Sequence, residues 1–205
     1  MLRRTFLALG PALGAALLLP ERAHASSLLG LNLEELVERS AWIGLAETVA
    51  RQSEWADDGG RRRIVTRTRL LHREIWASPS GSASEAESEV ITWGGRVGRV
   101  AQKVHGEAQL PSGAPLLLFL SGEDAAARRV VGLGQGEFRL REQAGRQKLE
   151  PVDPALGGAL LHSGKSRNGK SGGGGGKPLA FERLHGLGPR EARGLIEQRW
   201  QELGR

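Results

Sequence analysis

The chain contains no cysteine and no tyrosine, a single methionine, and aromatic residues at only 4%. Without cysteine there can be no disulfide, no thiolate nucleophile, no Cys-ligated zinc, no iron–sulfur cluster and no lipid attachment through cysteine. Beyond the first residues, no apolar run approaches the roughly 20 residues of a membrane-spanning helix. What is present is a globular composition. Of 205 residues, 39% are hydrophobic and 25% charged, with 29 Lys+Arg against 23 Asp+Glu and a net charge of +6. Those proportions exclude a wholly disordered chain and leave room for one domain with appendages.

Residues 1–25 read as a signal peptide. Arg3 and Arg4 supply a charged start, residues 7–19 an apolar stretch of 13, and Ala23-His24-Ala25 the small residues preceding a cut at Ser26. Arg3-Arg4-Thr5-Phe6-Leu7 resembles the twin-arginine export motif. Leu2 stands where a polar residue is usual, so the general secretory route stays open beside it. An uncleaved anchor is the competing reading. Export places the protein in the periplasm or outside the cell. Cleavage removes three cationic residues and one anionic residue, so the mature 180 residues carry +4. An exported chain without disulfides depends on core burial alone, and this length suffices for it.

In the mature chain, Asn32 and Glu35 have the capping-box spacing. With Leu33, Leu36 and Val37 they predict a short helix over residues 31–40. Strand patterns follow. Residues 42–50 are short, apolar and β-rich. Residues 52–60 carry the turn signal Asp57-Asp58-Gly59-Gly60. Residues 61–76 alternate with period two: Ile64, Thr66, Thr68, Leu70 and Trp76 on one face, Arg61, Arg63, Arg67, Arg69 and Arg73 on the other. Residues 78–88 read as a hairpin loop, 90–93 and 99–105 as strands with a bend at Gly94-Gly95. Residues 116–120, Leu-Leu-Leu-Phe-Leu, read as a strand buried on both sides. Residues 128–133 and 137–141 complete six or seven strands. The expectation is a mainly β fold, a small antiparallel barrel, closed or partly open, over residues 26–150. Residues 151–178 read as a Gly/Ser/Lys-rich linker and 179–205 as a C-terminal helical segment, with Ala192, Leu195, Ile196 and Trp200 on one face.

Motif matches lack the context that would give them chemistry. Residues 164–171 satisfy GxxxxGK[ST] and residues 169–173 satisfy GxSxG, but polyglycine follows where a helix is required. Gly132, Gly134 and Gly136 lack dinucleotide-loop spacing and suit a hairpin or bulge. His24, His72, His105, His162 and His185 show no i, i+4 pair and no HExxH. No catalytic residue, metal ligand or cofactor is assigned. The candidate polyanion-binding face is Arg61, Arg63, Arg67, Arg69, Arg73, Arg99 and Lys103, with Arg139 and Arg141 beside it. A solvated outer face is the simpler explanation, diluted by Glu74, Glu137 and Glu142. The tryptophans stand at core-like positions, so stacking on nucleic-acid bases is not expected.

Leu33 to Ser40 with Trp42 to Ala46, Trp93-Gly94-Gly95, "GAPLLLFL" at 113–120 and "VVGLGQGEF" at 130–138 together resemble a group of uncharacterised exported bacterial proteins. More distantly, the pattern is similar to netrin-like and metalloprotease-inhibitor modules. The resemblance implies an oligonucleotide/oligosaccharide-binding (OB)-type barrel. Inhibitors of that class chelate zinc through an N-terminal cysteine, which this chain lacks. The expected role is a non-enzymatic binding or accessory module of the cell envelope. Its partner would be an unidentified envelope protein or anionic polymer. The alternative is an envelope protease inhibitor or hydrolase.

Overall fold

The computed structural model describes residues 28–79, 86–122, 124–125, 127–156, 160–161 and 177–205. The leader, His162, the GxxxxGK[ST] and GxSxG matches and the polyglycine lie outside them.

The fold is mainly β, and its centre is an antiparallel sheet of seven strands. Strand β1 (Leu28–Leu29) and helix α1 (Leu33–Glu38) precede it. In α1 the Asn32 side chain accepts from Glu35 N at 2.9 Å and the Glu35 carboxylate accepts from Asn32 N at 2.9 Å, which satisfies two exposed donors at the helix start. Two long strands follow, β2 (Trp42–Asp58) and β3 (Arg61–Ala77), joined at Gly59-Gly60. Then come β4 (Glu87–Trp93), the β5 (Gly95–Val97) and β6 (Val100–Gln102) ribbon, β7 (Leu116–Ser121), β8 (Arg129–Val130), β9 (Glu137–Gln143) and β10 (Arg146–Pro151). The order in the sheet is β10-β9-β7-β2-β3-β4, with β8 also on β7. These ladders do not close on themselves. Beside them, Val90 and Arg128 form an isolated parallel bridge.

Strand β7 explains why two cores form. Leu117 and Phe119 point into one cluster with Ile43, Leu45, Trp76, Phe138 and Leu149. Leu116, Leu118 and Leu120 point into the other with Trp42, Leu70, Val90, Leu110 and Val130. All five residues are at most 1% exposed, as a strand with two buried faces requires. The first cluster is roofed by α1, by α2 (Ala180–Leu184) and by α3 (Pro189–Glu202) through Ala192, Ile196 and Trp200. The terminal helix therefore docks on the sheet. Arg205 fixes its end: the guanidinium donates to the carbonyls of Glu38 and Ser40, each at 2.8 Å, and lies 4.8 Å from the Trp200 ring centre.

Several strand limits differ from the sequence reading. Strand β2 runs to Asp58 rather than ending at residue 50, because its distal half pairs with β3 along one edge while both its faces stay largely polar. Residues 103–110 are irregular; only Val100–Gln102 of the 99–105 stretch is strand. Residues 128–133 contain only the two-residue β8, and Leu133–Gly136 is a 3₁₀ turn. Of residues 151–178, Pro151 ends β10, Val152 and Leu156 are buried, and Leu160–Leu161 (β11) pairs in parallel with β1.

Candidate functional site

A mixed set of cationic, acidic, imidazole and indole side chains gathers where the β2–β3 hairpin, the β5–β6 ribbon and the loop after β6 meet. Gly94 and Gly95 turn the chain out of β4 with φ of 93° and 131°. Gly95 lies so close to the hairpin that a Cβ there would come within 2.3 Å of Thr66 Oγ1 and 2.4 Å of Ser53 Oγ. Gln102 Oε1 accepts from Ile64 N at 2.9 Å, and Gly94 N donates to Ile64 O at 2.8 Å, so the ribbon is pinned to β3. Between ribbon, hairpin and loop opens a cleft of about 650 Å³. Its lining includes Arg51, Trp93, Lys103, His105, Glu107 and Asp153. That is the size range of small-ligand sites.

Its acidic groups are held by the backbone. Glu107 accepts from Trp93 N at 3.2 Å and from Ala108 N at 3.1 Å. Burial raises its carboxyl above the ordinary range, against those two N–H groups and the nearby Arg129 charge. Asp153 accepts from Ala155 N at 3.0 Å. The Trp93 ring lies beneath two guanidiniums, Arg129 at 4.5 Å and Arg63 at 5.6 Å from its centre.

Behind the cleft, Glu137 is 1% exposed and holds the loop in shape. Its oxygens accept from Gln109 N at 2.8 Å and Leu110 N at 2.6 Å. Leu110 has φ of 45°, the left-handed region that a bulky residue avoids. Thr48 Oγ1 donates to its carbonyl at 3.0 Å, so Leu110 is clamped from both sides. Burial pushes the Glu137 carboxyl up to about 7. The N–H groups of Gln109 and Leu110 and the charge of Arg51 oppose that push, and Glu107 adds slightly to it.

The candidate polyanion face divides in two. Arg63, Arg67, Arg69 and Arg73 on β3 are met by carboxylates: Arg63 by Asp58 at 3.6 Å, Arg67 by Glu54 at 2.5 Å and Glu89 at 2.7 Å, Arg69 by Glu87 at 4.0 Å, Arg73 by Glu47 at 2.5 Å. Arg139 and Arg141 share Glu150. Arg61 is exposed at the hairpin tip. Arg99 and Lys103 belong to the ribbon and the cleft, not to the β3 face. Glu137 is a buried anchor and does not dilute that face. Trp55 corrects the expectation that all tryptophans are core: it is 39% exposed, with Arg62 4.9 Å over its ring. The histidines separate as well. His72 stacks on Trp42 at 4.3 Å, His105 lines the cleft, and His185 follows α2. Gly132, Gly134 and Gly136 flank and form the turn between β8 and β9.

Sequence reasoning missed Arg51, Glu107, Glu137 and Asp153. Each is an isolated polar residue that no local spacing marks; Glu107 and Glu137 find backbone partners on distant segments, and Arg51 and Asp153 join them only through the fold. Among the described residues, no cluster of three metal-ligating side chains occurs, and no helix is long and apolar enough to cross a membrane. The chain matches no protein-family model and no curated protein.

Proposed function

We propose that this chain is a non-enzymatic exported binding or accessory module of the bacterial cell envelope, in which the sheet works as a partly open OB-type barrel and the cleft holds the ligand. The observation that carries the reading is the cleft itself: an open polar cavity whose loop wall is braced by two carboxylates on backbone N–H groups. Such bracing is what a preformed binding site needs. Barrel closure is supported by backbone bonds beyond the ladders. Ile91 N donates to Arg128 O at 2.9 Å and Arg128 N to Glu89 O at 3.1 Å, and β8, just after Arg128, pairs with β7. Together these bonds run a circuit β7-β2-β3-β4-β8, in keeping with the barrel class in which loops at one end take the ligand. The leader at residues 1–25 supports export to the periplasm or medium.

The test is calorimetric titration of the exported protein with soluble fragments of envelope polysaccharides and peptides. Filling the cleft with Gln109→Trp plus Ala155→Trp, two exposed positions in its lining, should abolish binding. Undiminished binding by that variant would refute the cleft as the site. An envelope hydrolase is the second reading, favoured by His105, Glu107 and Asp153 sharing one lining; release of cleavage products during the same titration would select it.

A further inference from the structure

The cleft and its surroundings are uneven in how their charges are used. The acids are committed within the chain. Glu107 and Asp153 accept backbone N–H groups, Glu54 binds Arg67, Asp58 faces Arg63, and Asp57 accepts from Gly60 N at 2.8 Å. The cations are not. Arg51 and Lys103 in the lining, and Arg96 and Arg99 on the bordering ribbon, are exposed and make no salt bridge among the described residues; Arg51 acts on the buried Glu137 through its charge alone. Backbone N–H groups hold Glu107, Asp153 and Asp57 in place without cancelling their charge, Glu54 and Asp58 are offset by arginines, and these four cations reach into water, where an anionic chain can meet them.

The aromatic side chains narrow the class. Binders of single-stranded nucleic acid offer bare aromatic faces on which bases stack. Here Trp93 lies under Arg129 and Arg63, and Trp55 lies under Arg62. These rings hold guanidiniums in place. An anionic chain that does not stack, with acidic groups spaced along it, fits better than one carrying bases. Resting on the binding-module reading above, we propose that the cleft takes a segment of an acidic polysaccharide, its anionic groups met by Arg51, Arg96, Arg99 and Lys103. The β3 arginines are held by their own carboxylates and contribute little.

The experiment compares polygalacturonate with its fully methyl-esterified, neutral counterpart, and with single-stranded DNA of equal charge, on the exported protein. Polygalacturonate should bind and lose affinity steeply with salt, as counterion release dictates. Arg51→Ala, Arg96→Ala, Arg99→Ala and Lys103→Ala combined should weaken binding by about tenfold or more at low salt, whereas Arg67→Ala plus Arg69→Ala should change it less than about twofold. Arg51→Lys, Arg96→Lys and Arg99→Lys combined should retain most of the affinity, which separates charge from folding. Equal binding of the neutral ester would overturn the acidic assignment and leave the cleft reading standing. Tighter binding of DNA, or equal loss from the β3 pair, would also overturn it. Polygalacturonate binding that survives Gln109→Trp plus Ala155→Trp would remove the cleft reading and this inference together.

Discussion

Replacing Glu137 with glutamine should flatten the dependence of stability on pH between about 5 and 8. Its carboxyl has a folded value of about 7 because the side chain is buried, whereas in the unfolded chain it titrates near 4.5. A carboxyl raised by folding binds its proton more tightly in the native state. Its stabilising contribution is therefore full below the unfolded value and is lost as pH rises through the folded one. A difference of about 2.5 units corresponds to about 3 kcal/mol, of which about 2.5 falls between pH 5 and 8. Glu107, raised in the same direction, adds to the slope in both proteins. Glu47, lowered by its bond to Arg73, and Glu202, lowered first by the Gln198 side-chain hydrogen bond and then by Arg199, act only at more acid pH, where falling pH destabilises the fold. Urea unfolding followed by tryptophan fluorescence at pH 5, 6, 7 and 8 reads the difference. The wild type should lose about 2 to 3 kcal/mol more than Glu137→Gln across that range. Absolute stability is a separate matter, because the amide gives one of the two backbone donors no acceptor. An identical pH slope in the two proteins would refute the assignment of Glu137 as a buried carboxyl bracing the cleft wall.

Three further outcomes follow from named contacts. Arg205→Ala removes bonds to the carbonyls at the end of α1 and the cover over Trp200; denaturant unfolding should show a loss of about 1–2 kcal/mol. Gly95→Ala forces a Cβ onto Thr66 and Ser53 at positive φ and should cost about 1–3 kcal/mol, with loss of amide protection at Ile64 in hydrogen exchange. Arg67→Ala breaks two ion pairs of an arginine whose side chain is 41% exposed, so stability measured by thermal unfolding should change by no more than about 1 kcal/mol.

What was legible in the chain was whatever had a buried face. Ile64, Thr66, Thr68, Leu70 and Trp76 are all buried, as the alternation in β3 required, and Leu116 to Leu120 read as doubly buried because no polar residue interrupts them. The length of β2 was illegible for the opposite reason. Between Gln52 and Asp58 no residue of β2 is buried, so no alternation is written there. Strand β10 buries only Leu149 fully, too little for a pattern. Lys103 to His105 mimics a strand by its alternation, yet its backbone is irregular where it walls the cleft. Glu137 was read as one more surface charge beside Arg139. Its burial comes from the loop at Gln109 and Leu110, more than twenty residues away, and no local rule reaches that far.

The most direct measurement is amide hydrogen exchange of the protein with and without saturating polygalacturonate. Slowed exchange at residues 94–109 and around Arg51, with the β3 outer face unchanged, is the expected result. Protection confined to the outer face of β3, or absent from the cleft while the polymer is bound, would contradict the account.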